Sequence, residues 1–271
     1  MPRFTHPLLT GRALRQLRDR AYVLRTQSLA EADLIVSLFA ENHGRLRGVA
    51  RSARKSRKRF GGLLEPLTCV RALWLEKEGR ELHRIEALEG LRSFAPMQSD
   101  PAVQAACAVL AELTEAFARE GEPEPRGFRL LGAVLEALEQ GGAPLALVRY
   151  YEYWMLRLNG LAPDPGCCAV CHRDLAPGEP RWVGQRIGLR CKECESRASQ
   201  RGLPFGDRDR EFLRAARQAA PGELDDDRGA AAPGRALEAL LRGTLESFAE
   251  RRFRAYRHLN SAAGQEERPW G

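Results

Sequence analysis

The sequence has no run of about eighteen apolar residues, so no segment of it reads as a membrane-crossing helix. Its first twenty residues lack the unbroken apolar stretch of a secretory signal and instead hold Arg3, Arg12, Arg15, Arg18 and Arg20 against a single acid, Asp19. The phosphate-loop pattern GxxxxGKS or GxxxxGKT, a strand-to-helix GxGxxG, HExxH and GxSxG are all missing, which removes the usual signatures of nucleotide hydrolases, dinucleotide enzymes, zinc proteases and serine hydrolases. The five histidines, His6, His43, His83, His172 and His258, are scattered outside any recognisable catalytic frame, and no internal repeat is present. Nothing singles out a nucleophile or a base, so a binding protein is expected rather than an enzyme.

What the chain does contain is charge, unevenly placed. Its 271 residues are 44% hydrophobic, enough for a sizeable core in two or more modules. The net charge is +7, yet residues 1–90 alone hold 18 Lys or Arg against 10 Asp or Glu. Such asymmetry points to a polyanion contact made by one module. Seven cysteines, an odd count with four of them in two close pairs, suit a reducing compartment and a metal site, which places the chain in the cytoplasm.

From Ala21 to about Leu91 the pattern is of short strands: Ala21–Thr26, Ala32–Ala40, Arg45–Arg51, Leu67–Glu76 and Glu81–Ala87. Asn42, His43 and Gly44 supply hairpin turn chemistry between the second and third. With a period of two, Arg45, Arg47 and Arg51 share one face of the third strand. A basic stretch follows, with Arg54, Lys55, Arg57, Lys58 and Arg59 packed before Gly61 and Gly62, and it reads as a mobile loop. Five antiparallel strands with a basic loop between the third and fourth describe an OB-type β-barrel, a fold that binds oligonucleotides on the face of strands two and three. Trp74 is expected to fill this barrel, with stacking on a base as the alternative. Residues 1–20 read as a basic N-terminal extension forming a short capping helix.

After Pro96 the period changes to that of helices. Asp100 with Pro101 reads as an N-cap and first turn, and Phe128–Glu139 and Pro144–Asn159 follow, the latter stopped by Gly160. Tyr150, Tyr151, Tyr153 and Trp154 are expected in the core. Leu203–Ala219 and Arg235–Asn260 are read as further helices across an exposed linker, Pro221–Gly234, the last with Leu237, Leu240, Leu241, Leu245 and Phe248 as its buried stripe. Arg251, Arg254 and Arg257 form a solvated face or a second basic patch. The expected organisation is thus α+β: a barrel over residues 21–91, a helical domain over 92–165 and 198–260, an inserted cysteine module over 166–197, and a frayed tail over 261–271.

Within that module Cys168 and Cys171 form one CxxC, Cys191 and Cys194 another, with 19 residues between. Two such knuckles complete a tetrahedron in which every position is filled by protein, the mark of one structural zinc ion rather than a catalytic one. Cys167 offers a longer bite in place of Cys168, and His172 is a weaker substitute ligand.

The stretch from Ala21 to Ser56 resembles the opening of the bacterial RecO family of recombination mediators. The likeness rests on Val23-Leu24-Arg25, on Glu31 and Asp33 before Leu34-Ile35-Val36, on His43-Gly44-Arg45, and on Gly48-Val49-Ala50-Arg51; Asn159-Gly160 with Pro163 before the cysteines adds to it. It covers residues 21 to about 197 well and the last helices loosely. The twenty-residue extension and the doubled Cys167-Cys168 depart from the family pattern. The resemblance implies a nucleoid-associated protein that binds single- and double-stranded DNA, anneals complementary strands without ATP, and acts with RecR to place RecA on strands coated by single-strand-binding protein. Arg45, Arg47, Arg51, Arg54, Lys55, Arg57, Lys58 and Arg59 are the expected phosphate contacts. Two other readings compete: an interaction scaffold, stabilised by zinc, whose basic loop is only solvated surface, and a zinc-dependent nuclease.

Overall fold

A computed structural model describes residues 14–77, 82–162, 164, 166–175, 181–182, 188–198, 202–224 and 234–262. The start of the basic extension, Pro163, most of the acidic linker and the tail from residue 263 lie outside the described residues. The chain divides into two units, one holding the strands up to Ser93 together with Glu120–Glu122, the other Phe94–Arg119 and the chain from Pro123.

The first unit is a five-stranded OB-type barrel. Its strands are β1 (Leu14–Ser28), β2 (Leu34–Ala40), β3 (Gly44–Ala50), β4 (Cys69–Lys77) and β5 (His83–Arg92). They follow one another in the order β1-β2-β3-β5-β4, and β4 pairs back to β1. Inward side chains alternate with outward ones, so Val23, Val36, Leu38, Leu46, Val70, Trp74 and Ile85 fill one core. Trp74 is 1% exposed and belongs to that core. The ring closes between β3 and β5 through a short parallel ladder, Gly48 opposite His83 and Ala50 opposite Ile85. A Cβ at Gly48 would stand 2.6 Å from Ile85 Cδ1, so the closure needs glycine there.

The expected helix over residues 1–20 is corrected where it is described: Leu14–Arg20 are the first half of β1, paired residue by residue with β4 from Leu14↔Lys77 to Tyr22↔Cys69. Asp19 occupies a buried position on this strand and fastens the β2–β3 turn. Its carboxylate accepts from the Arg20 N–H (2.8 Å), the Asn42 N–H (2.7 Å), Asn42 Nδ2 (3.0 Å) and His43 Nδ1 (2.8 Å). The basic stretch is not a mobile loop either. Arg57–Phe60 form a one-turn helix, α1, because Phe60 turns inward and joins the barrel core at 1% exposure.

The second unit is helical: α2 (Pro101–Phe117), α3 (Pro125–Glu139), α4 (Pro144–Leu158), the short α5 (Lys192–Ser196), α6 (Asp207–Gln218), α7 (Arg235–Phe248) and α8 (Ala255–Ala262). Asp100 caps α2 by accepting from the Ala102 N–H at 2.8 Å, and proline opens α2, α3 and α4. At the end of α4, Gly160 takes φ +71° while the Leu161 N–H reaches back to the Leu156 carbonyl at 2.8 Å, the six-to-one bond of a Schellman stop. Tyr150, Tyr151 and Tyr153 are buried. Trp154, partly buried, donates from Nε1 to the Ala216 carbonyl at 2.8 Å.

Two helix expectations need correcting. Leu203–Pro204 is a strand, β8, in a small sheet with β6 (Arg181–Trp182) and β7 (Leu189–Arg190), so the helix begins only at Asp207. The long final helix is broken into α7 and α8. Glu250 takes φ +52°, and the carboxylate of Glu112 on α2 accepts from the Arg254 and Ala255 N–H groups at 3.2 and 2.8 Å, so a new N-terminus is satisfied there. Arg251 and Arg254 therefore precede α8 and share no helical face with Arg257. Of the apolar stripe on α7, Phe248 is 57% exposed and stacks on Phe117.

A buried ion network joins α4, α7 and α8. Arg149 (1% exposed) donates from Nη1 to Glu152 (0% exposed) at 2.5 Å and lies 3.3 Å from Glu238 through Nη2. Tyr256 Oη donates to Glu152 at 2.6 Å, Arg242 donates from Nε to Glu246 at 3.0 Å, and the Arg242 guanidinium lies 4.5 Å from the centre of the Tyr256 ring. Burial opposes the charge on Arg149, but Glu152 and Glu238 outweigh it and hold the guanidinium protonated.

Burial opposes ionisation of Asp19, but the bonds from His43, Asn42 and Arg20 outweigh it and hold the carboxyl below the usual carboxylate range. Its contribution is full above the unfolded value of about 3.9 and is lost as pH falls through the lower folded value. Asp19→Asn should therefore cost roughly 1–3 kcal/mol at pH 7 in urea unfolding, with the difference from the parent shrinking as the medium is acidified below about pH 4. Arg149→Met should cost roughly 3–5 kcal/mol by leaving Glu152 buried without its guanidinium, and the double change Arg149→Met with Glu152→Leu should recover most of that loss.

Candidate nucleic-acid interface and thiolate centre

Of the eight basic residues singled out by sequence, Arg45 and Arg47 lie on the outward face of β3, where buried and half-buried positions alternate. Arg51 lies one residue beyond the strand and is exposed, as are Arg54 and Lys55. Nothing is described of the side chains of Arg57 and Lys58. Arg45 is engaged: its Nη2 pairs with Glu120 at 3.1 Å, and its carbonyl accepts from the Gly121 N–H at 3.0 Å. Arg59 holds the turn together by donating from Nη2 to the Arg51 carbonyl (2.9 Å) and from Nε to Ser56 Oγ (3.1 Å). Arg54 reaches Ser28 Oγ. At Ser52 the turn takes φ +55°, with its N–H bonded to Asp33 Oδ1 at 2.7 Å. The basic segment is thus a fastened turn, presenting the exposed cations Arg51, Arg54 and Lys55 beside a strand, followed by one helical turn, an arrangement able to meet phosphates without reading bases.

The cysteine module is built around four sulfurs. Cys168, Cys171, Cys191 and Cys194 place their Sγ atoms within 4.8 Å of one another, and among the described residues Cys167 and His172 stand outside this group. The Sγ atoms of Cys171 and Cys191 are 3.8 Å apart. A tetrahedral ion with bonds of about 2.3 Å to sulfur requires edges of about 3.8 Å, so the donor set fits a thiolate-bound metal. The first knuckle is tied by His172 N–H to the Cys168 carbonyl (2.9 Å), with His172 at φ +60°. In the second, Cys191 caps α5, its sulfur accepting from the Cys194 N–H at 3.4 Å. Burial opposes ionisation of Cys168, but N–H donation from Cys171, Cys191 and Val170 outweighs it and brings the thiol down to about 6, which favours the ligating thiolate.

Sequence reading missed Asp19, the buried Arg149–Glu152 pair and the small sheet of β6, β7 and β8. For the sheet, the alternation of Ile187, Leu189 and Cys191 with Gly188 and Arg190 was the available signal; for the buried pair there was none.

A closed OB-type barrel followed by a helical unit with an inserted four-thiolate module defines a compound architecture. The family described as "Recombination protein O N terminal" matches residues 14–94, starting where β1 starts, and "Recombination protein O C terminal" matches residues 98–257. The chain belongs to the RecO family. It is similar to the DNA repair protein RecO of Koribacter versatilis (strain Ellin345), at 41% identity over 158 residues; that match takes in 58% of this chain and 64% of the relative, less than two thirds of its length. The RecO of Syntrophus aciditrophicus (strain SB) is 34% identical over 65% of this chain and 69% of its own. That of Anaeromyxobacter dehalogenans (strain 2CP-C) is 31% identical over 88% of this chain and 93% of its own. Residues 14–20, read as an extension to the family pattern, fall inside the family's N-terminal domain. No described helix is long and apolar enough to cross a membrane.

Proposed function

We propose that this chain is a recombination mediator in DNA repair that binds single- and double-stranded DNA, anneals complementary strands without ATP and, with RecR, helps load RecA onto strands coated by single-strand-binding protein. Family membership supports the role in repair and recombination. The observation that supports DNA contact is the outward face of β3 running into a hydrogen-bonded turn with Arg51, Arg54 and Lys55 exposed; these three, with Arg47 and the neighbouring Arg57 and Lys58, are the proposed phosphate contacts. Annealing two polyanions requires lower phosphate repulsion, and cations beside a strand supply it without base readout. Arg45 and Arg59 belong to the same patch with a second duty, since Arg45 pairs with Glu120 and Arg59 holds the turn. The protein works in the cytoplasm on the nucleoid. One zinc ion, held by Cys168, Cys171, Cys191 and Cys194, fixes the module structurally and has no part in cleavage.

The deciding experiment is annealing of two complementary labelled oligonucleotides across a salt series. Arg51, Arg54, Lys55, Arg57 and Lys58 are changed to Ser while Arg59 is kept, so that the turn survives. With about six phosphates neutralised, log affinity for a single strand should fall with log salt at a slope of about −4, and the variant's slope should flatten to about −1 with annealing lost. DNA binding unchanged in the variant would sink the assignment of this patch. For the metal, elemental analysis should give one zinc per chain. Cys168→Ser should lose the ion and Cys167→Ser keep it, and acidification should release it as the thiolates take up protons.

A further inference from the structure

The register of the barrel places three rows of side chains on the outer face of β1, β4 and β5. Gln16, Leu75 and Arg84 form one row, Arg18, Leu73 and Ala87 the next, and Arg20, Arg71 and Glu89 the third. Rows two residues apart along a strand are separated by about 7 Å. Four arginines thus surround an apolar strip on the outside of the barrel. The strip lines a groove of about 610 Å³, with Leu73, Ala87 and Leu88 as its floor and Arg18, Arg71 and Glu89 at its rim. Arg20 and Arg71 face each other directly, an arrangement of like charges that a structural surface gains nothing from. Glu41 relieves the first, at 2.7 Å from Arg20 Nη2, and Glu89 the second.

Glu89 bridges the rim. Its Oε2 takes Arg18 Nη2 at 2.9 Å and its Oε1 takes Arg71 Nη1 at 3.0 Å. One carboxylate with two oxygens between two guanidiniums occupies the position that the two free oxygens of a phosphodiester would fill. The side chains of Arg18, Arg71 and Glu89 are 61%, 40% and 55% exposed, so these pairs are screened and exchange readily.

We propose that the outer face of β1, β4 and β5 is a second binding surface for a single polynucleotide strand, with phosphates on Arg18, Arg71 and their neighbours and a sugar or base against Leu73 and Ala87. The proposal rests on the DNA-binding reading and adds a separate site to it. In the ring order β1-β2-β3-β5-β4, β3 is two strands away from both β1 and β4, so Arg18 and Arg71 point away from the outward face of β3, whereas Arg84 on β5 lies beside Val49 of β3 at the border of the two faces. A chain with both surfaces holds two strands at once and raises the local concentration of each about the other, which annealing requires. Evenly repeated charge beside an apolar strip matches a strand, in which every nucleotide brings one phosphate and one stacking face. An Asp-rich peptide repeats the charge but brings no stacking face.

The test is fluorescence titration of the full chain with a ten-residue oligothymidylate, reading stoichiometry and the salt slope of each binding event, with thermal melts to confirm that the surface variants fold. The parent chain should bind two oligonucleotides. Arg18→Ser with Arg71→Ser should bind one and lose annealing, whereas Glu89→Gln, which removes the competing carboxylate, should tighten the second event about fivefold. A stoichiometry of one in the parent, or of two untouched by the double arginine change, overturns the second surface. If only the β3-side variant loses binding, the DNA reading stands and this proposal fails; if neither variant changes binding, both fail. Displacement of an Asp-rich peptide from this face, with no second oligonucleotide event, would also overturn it, in favour of a protein partner.

Discussion

One strand closes the barrel. The fifteen residues of β1 pair with β4 through Leu14–Tyr22 and with β2 through Ala21–Ser28, with a bulge between Val23 and Arg25 where the strand bends from one ladder to the next. Without its first half, β4 would present an open edge and the ring would be a curled sheet. Closure also dictates direction. Once β1 and β4 are joined, the outward arginines of β3 and those of β1 and β4 are forced onto opposing sides, and the excess positive charge of the first third of the chain is divided between two faces. Asp19 couples closure to the turn at Asn42 and His43, since the carboxylate on β1 accepts from both.

What could be read from sequence was what is decided locally. Asn42-His43-Gly44 marked the hairpin because the turn chemistry and the positive φ of Gly44 are neighbours in the chain. Asp100-Pro101 marked a helix start for the same reason, and two CxxC pairs marked a site because the knuckle is four residues long. The features that were hidden depend on distant partners. Leu14–Arg20 escaped notice because an acid, Asp19, takes an inward position and breaks the apolar alternation, and its four hydrogen bonds come largely from residues more than twenty positions on. The break before α8 is satisfied by Glu112, on a helix far upstream. The basic stretch held one overlooked clue, Phe60, an aromatic residue among cations whose burial converts the end of a loop into a helical turn.

Arginine serves this molecule in three ways, and desolvation separates them. Arg51 is exposed and retains its water, so its guanidinium is not spent on the core. Arg59 spends its donors on the backbone and on Ser56, so its charge is local scaffolding for the residues beside it. Arg149 is stripped of water altogether, which is tolerable because Glu152 and Glu238 meet it and Tyr256 meets Glu152 in turn.

The buried arginine also bears on how the helical unit chooses its packing. Apolar side chains of α7 such as Leu240 and Leu241 can shift against those of neighbouring helices at modest cost, because the hydrophobic effect has no direction. The Arg149–Glu152–Tyr256 contacts do have direction: a shift of α7 or α8 by one turn against α4 would leave charges buried and unmet, at a cost far above that of a displaced leucine. α8 is only eight residues long and starts after a broken connection, so its own helical propensity is too small to hold it. Its place is fixed at one end by Glu112 on its first amides and in its body by Tyr256 on Glu152. The ion network therefore contributes register more than stability, and the short helix that depends on it is the element whose position the network determines.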